Sequence, residues 1–150
     1  MIKIFVSKWD KKSELYPNYD SDANLLEVSS KVPQGWLQGI DVDGNIIFDL
    51  DKNGVIANFD VLIPKDLWIV VENLCVPKLY KQGTVVVHPS SISKKSHNIP
   101  LTIQTDKKRK YVNIIIGNEK ESCQNKVVEI SKSCYCYVKN NYLKGFFLFI

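Results

Sequence analysis

The densest chemistry in the chain runs over residues 49–60, which read DLDKNGVIANFD. Oxygens at such spacing are what a calcium-binding EF-hand loop uses. Asp49, Asp51 and Asn53 fall at loop positions 1, 3 and 5, Gly54 at 6 and Ile56 at 8. Three features oppose that use. The flanks, Ile46 to Leu50 and Val55 to Ile63, are rich in strand-forming residues, whereas an EF-hand needs two helices. Position 12 is Asp60, shorter than the usual glutamate, and position 9 is Ala57, which has no side-chain oxygen. The stretch reads as a β-hairpin turned at Asp-Lys-Asn-Gly, with no metal and no cofactor.

The remaining reactive residues form no catalytic set that the sequence can define. His88 and His97 lie among Ser90, Ser91, Ser93 and Ser96, but a Ser-His-Asp set is recognised by geometry, and no GxSxG elbow is present. No Walker loop or GxGxxG occurs. Asp49 and Asp51 share a strand face and read as solvated carboxylates. The expectation is a protein that is not an enzyme. Lys107-Lys108-Arg109-Lys110 could meet phosphate, but between two strands it reads as a solvated hairpin tip. Arg109 is the only arginine, and phosphate recognition leans on arginine's planar fork. Cys75, Cys123, Cys134 and Cys136 include no CxxC pair, and Cys134 and Cys136 share one strand face. They read as buried, inert thiols, reduced in the cytoplasm.

The elements that must position these residues follow from patterning. With 150 residues, 45% hydrophobic and 24% charged, the chain suits one domain over residues 1–150 that folds without staples. The start, MIKIFVSKWD, is not a signal peptide, and no apolar run reaches membrane length, so a cytoplasmic protein with no membrane contact is expected. Strands are expected at Ile2–Val6, Ala23–Val28, Trp36–Val42, Asn45–Leu50 and Val55–Ile63. Further strands are expected at Thr84–Val87, Leu101–Gln104, Tyr111–Ile116, Lys126–Ile130, Cys134–Val138 and Tyr142–Ile150. Asp43-Gly44, Asn53-Gly54 and Asn140-Asn141 supply hairpin turns. Pro64 followed by Leu67, Val70, Val71 and Leu74 predicts a short helix over 64–74, and Pro89 to Pro100 reads as a loop. The fold class is mostly β, a β-rich α+β arrangement of antiparallel sheets from consecutive hairpins.

Residues 19–63 carry one resemblance. YDSDANLLEVS followed by GNIIFDLDKNGVIANFDVLI resembles a small bacterial family of uncharacterised β-rich proteins. Tyr19, Asp20, Ala23, Asn24, Leu26, Asp51, Gly54 and Leu62 fit its pattern. Asn58-Phe59-Asp60 stands where the family has Gly-Ile-Glu, and the strand from Trp36 to Asp43 is extra. The resemblance implies a hairpin and carries no activity.

Charge is uneven. The net +4 divides into −5 over residues 1–75 and +9 over residues 76–150. The acids gather at Asp41, Asp43, Asp49, Asp51 and Asp60, beside Trp36. The expectation is a module that binds and neutralises a protein partner, such as a cognate toxin bound by its immunity protein. Those five acids and Trp36 would form the contact. The alternative is a nucleic-acid- or ligand-binding β-domain that uses the basic C-terminal half.

Overall fold

The computed structural model describes residues 1–32, 35, 38–118 and 126–150. Fifteen strands are present among them: β1 (Ile4–Ser7), β2 (Leu15–Asp20), β3 (Leu25–Ser30), β4 (Gln38–Val42), β5 (Ile46–Leu50), β6 (Ile56–Val61), β7 (Ile69–Val70), β8 (Lys81–Gln82), β9 (Thr84–Val87), β10 (Ser96–His97), β11 (Leu101–Thr105), β12 (Tyr111–Ile116), β13 (Lys126–Ser131), β14 (Cys134–Lys139) and β15 (Tyr142–Phe149). They make three sheets. One has six strands in the order β10-β4-β5-β6-β3-β2, one has seven in the order β7-β11-β12-β15-β14-β13-β8, and β1 pairs with β9. The protein is mostly β and largely antiparallel, as its patterning predicts.

The two large sheets share one apolar core. Phe48 and Phe59 are cross-strand partners on β5 and β6, and both are fully buried. Phe146 of β15 meets them from the other sheet, with its ring centroid 4.5 Å from Phe59 and 5.9 Å from Phe48. Alternation does the rest. With Ile46, Phe48 and Leu50 turned inward, Ile47 and Asp49 must face out. In β14, Cys134 and Cys136 point into the same core, where burial pushes both thiols upward and keeps them protonated.

The turns obey their sequence. Asp43 and Gly44 both have positive φ (54° and 69°), as do Asn140 and Asn141 (52° and 64°), the signature of type I′ hairpins. The turn at residues 51–54 is built differently. The Asp51 carboxylate accepts from the amides of Asn53 (2.8 Å) and Val55 (2.9 Å).

Several elements differ from expectation. Residues 64–74 form no α-helix, but one 3-10 turn, Lys65–Leu67, followed by extended chain. The side chain that anchors this stretch is Trp68, which lies outside the helical pattern. It is 4% exposed and donates its indole N–H to the Ile63 carbonyl. β-branched Ile69 and Val70 then pair with β11. The single α-helix among the described residues, α1 (Pro89–Ile92), lies instead in the stretch read as a loop, capped by His88. β2 is a further strand, placed at a sheet edge where Pro17 is tolerated.

Residues 71–80 form the longest irregular crossing among the described residues. They leave β7 at one edge of the seven-stranded sheet and reach β8 at the other. On the way Leu74 packs against Tyr135, Tyr137 and Phe147, and Tyr80 meets the Tyr135 ring at 4.9 Å. Burial under this strap, with the Tyr80 hydroxyl alongside, pushes the Tyr135 phenol up to about 12.

Cys75 is exposed where burial was expected, because it lies on the irregular stretch and not in a strand, and Cys123 lies outside the described residues. Two outcomes follow. In the native protein a maleimide labels Cys75, while Cys134 and Cys136 resist until denaturant is added, as mass spectrometry of the labelled peptides reads directly. Gly145→Ala lowers stability by about 3 kcal/mol or more, because φ is +148° and an added Cβ would lie 1.9 Å from the Ile114 carbonyl oxygen. A melting curve within a degree of wild type would contradict it.

Candidate protein-binding face

The outer surface of the six-stranded sheet gathers three of the predicted acids. Register places Asp41 opposite Ile47, Ile47 opposite Asp60, and Asp60 opposite Glu27, so these four form one row across β4, β5, β6 and β3. The next row sets Gly39, Asp49, Asn58 and Ser29 side by side. Neighbours along such a row stand about 5 Å apart, within range of one another's charge. Asn58 donates its side-chain amide to Asp49 (3.0 Å), and the Asp41 carboxylate accepts from the Gly44 amide (2.9 Å). Ile47 is 37% exposed in the middle of this carboxylate field. None of the described residues within these six strands is a lysine or arginine; a cation on this face is contributed from beyond β3, where Lys31 places its Nζ 4.2 Å from the centre of the Tyr16 ring beside Ser29.

Asp60 is the most perturbed member. One carboxylate oxygen is shielded from solvent and has no hydrogen-bond partner. Partial burial raises its affinity for a proton. Asn58 opposes that through a hydrogen bond, and the charges of Glu27 and Asp49 add to the rise. The field therefore favours a cation, whether a proton or a partner's basic side chain.

Two predicted acids do not join this face. Asp43 sits in the β4–β5 turn and Asp51 in the β5–β6 turn, at opposite ends of β5. Trp36 lies outside the described residues. Glu27, which sequence reasoning passed over, belongs to the face. Its signal was the alternation in Leu25–Ser30, where Leu26 and Val28 are buried on either side of it.

The other candidates resolve into structural roles. The stretch 49–60 is a hairpin and not a helix–loop–helix, and Asp51 spends its carboxylate on backbone amides. His88 accepts from the Ser90 amide at Nδ1 (3.1 Å) and caps α1. His97 is buried and places Nε2 3.0 Å from the Ser91 carbonyl, so that nitrogen carries the proton. Lys107, Lys108 and Lys110 are exposed on the β11–β12 turn. Asp106 holds that turn by accepting from the Lys110 and Tyr111 amides. Burial works against the Asp106 charge, but these amides outweigh it and hold the carboxyl below its ordinary value.

No family model matches the chain, and a search of curated proteins returns no match. Among the described residues no helix is long and apolar enough to cross a membrane.

The acid field gives a pH dependence. Asp60 binds its proton more tightly in the folded chain than in the unfolded one, so its contribution to stability is lost as pH rises through the folded value. Asp60→Asn is expected to raise the melting temperature at neutral pH. The gain should vanish below about pH 4, where an ordinary aspartate is also protonated. A variant that melts lower than wild type at neutral pH would show that the charged form is stabilised instead.

Proposed function

We propose that this chain is a non-enzymatic protein-binding module that neutralises a basic partner, in the manner of an immunity protein paired with a bacterial toxin. The observation that carries the reading is the outer face of the six-stranded sheet. There Asp41, Asp49, Asp60 and Glu27 surround exposed Ile47 with no cation among the outward-pointing strand residues described. A toxin that attacks nucleic acid must hold phosphate and is therefore basic around its site. A rigid field of carboxylates on a sheet imitates that phosphate, speeds encounter and occludes the site. Ile47 supplies an apolar centre with a charged rim, the usual anatomy of a protein interface. The net charge of +4 resides mainly in residues 76–150, so a partner must approach the carboxylate face of the six-stranded sheet. The cytoplasm of a bacterial cell is the compartment that fits this role.

The test is binding to the product of the adjacent reading frame, measured by calorimetry with wild type and with Asp49→Lys plus Asp60→Lys. Affinity is expected to fall about 10- to 100-fold with the native circular dichroism spectrum retained, and the wild-type on-rate to drop with added salt. Equal affinity in both proteins would place the interface elsewhere. Absence of binding by either would overturn the pairing.

A further inference from the structure

The hydrogen bonding of β1 leaves one edge of that strand open. Lys3 accepts from the His88 amide, so with Ile4 opposite Val87 the bonded pairs with β9 are Lys3–His88, Phe5–Val86 and Ser7–Thr84. Ile4 and Val6 therefore turn their N–H and C=O groups away from β9. The Ile4 amide bonds the Asn141 carbonyl (2.8 Å), and there that second ladder stops. The N–H and C=O of Val6 have no backbone partner among the described residues. Phe5 and Val6 are 45% and 44% exposed. Natural edges are usually guarded by proline, a bulge or a charge, as Pro17 guards β2, and Phe5-Val6-Ser7 has none of these.

Beside this edge lies a groove of about 560 Å³, walled by Val6, Leu79, Tyr80, Val127 and Val128, with Lys81 and Lys126 at its rim. Among the described residues no carboxylate lines it. Leu79 is 89% exposed there, an apolar side chain without cover. The chain turns from β8 into β9 at Gly83, where an added Cβ would lie 2.6 Å from a Val6 methyl, so glycine lets the two walls approach. A size of this order suits a few side chains of an extended segment.

A second copy of this chain is a poor occupant. A second β1 would carry its own Lys3 and Lys8 to an edge and groove that already hold Lys3, Lys8, Lys81 and Lys126. An acidic segment meets the opposite situation. We infer that the outer edge of β1 accepts an extended, acidic and apolar segment of a partner protein as an added strand. Val6 would bond its backbone, the groove at Leu79 and Tyr80 would seat its apolar side chains, and Lys81 and Lys126 would face its carboxylates. This surface is separate from the carboxylate face and stands without it.

The probe is the peptide acetyl-Glu-Val-Thr-Val-Thr-Val-Glu-amide, titrated into the isotope-labelled full chain and followed by amide NMR. Saturable shifts are expected at Val6, Ser7, Leu79 to Gln82 and Val127. Val6→Pro should abolish them while retaining the native spectrum elsewhere, because that N–H has no native backbone partner to lose. Should Val6→Pro fail to fold, the same peptide N-methylated on alternate residues must fail to bind wild type. Lys81→Glu plus Lys126→Glu should weaken binding by roughly fivefold or more, and a peptide with lysine for glutamate should bind correspondingly less. No saturation at millimolar peptide, shifts centred elsewhere, or equal binding by the lysine peptide would overturn the inference. So would concentration-dependent dimerisation through β1 without peptide, which would assign the edge to a second copy.

Discussion

The meeting of Phe59 with Phe146 at 4.5 Å, with Phe48 alongside, is the contact on which the arrangement depends. It joins strands from the two large sheets, and each of the three rings is fully buried. Truncating one such ring to alanine typically costs about 3–5 kcal/mol, a large share of the 5–15 kcal/mol that holds an ordinary domain together. The contact also sets direction. A strand alternates its side chains strictly, so fixing Phe48 and Phe59 inward fixes Ile47, Asp49, Asn58 and Asp60 outward. The carboxylate face is thus a by-product of where three aromatic rings must go.

Much of this was legible from residue order. Asp43-Gly44 and Asn140-Asn141 announced their turns because few other pairs tolerate two positive φ values in succession. Strands such as Ile46–Leu50 announced themselves by alternation. What was not legible depended on distant partners. The spacing of Leu67, Val70, Val71 and Leu74 suits a helix, yet Ile69 and Val70 are held extended by β11, more than thirty residues away. Leu15–Asp20 reads as a loop because of Pro17, and only its placement at an edge makes it a strand. Two-residue strands such as Lys81–Gln82 carry no periodicity at all. The face itself was half legible. Asp41, Asp49 and Asp60 converge, whereas Asp43 and Asp51 are claimed by turns and Glu27 enters through cross-strand register with β6.

The charge asymmetry of the sequence acquires a spatial meaning. Acids of the N-terminal half collect on the outer face of one sheet, while Lys81 and Lys126 border a groove at an edge of the other. Both are built on backbone that hydrogen bonding holds in place, and such preorganisation limits the ordering cost of binding.

The strap over residues 71–80 sets a constraint of another kind, on how the chain can change in length. Seven strands at about 4.8 Å spacing put the two sheet edges roughly 29 Å apart. The eleven steps from Val70 to Lys81 reach at most about 36–40 Å when fully drawn out. The slack is about two to three residues. Surface connections elsewhere absorb insertions and deletions freely, but this one works like a belt on its last hole. A deletion of four residues within it would pull β7 or β8 off its edge and bare the backbone of an end strand, so a stretch with no regular structure is among the least free to shorten.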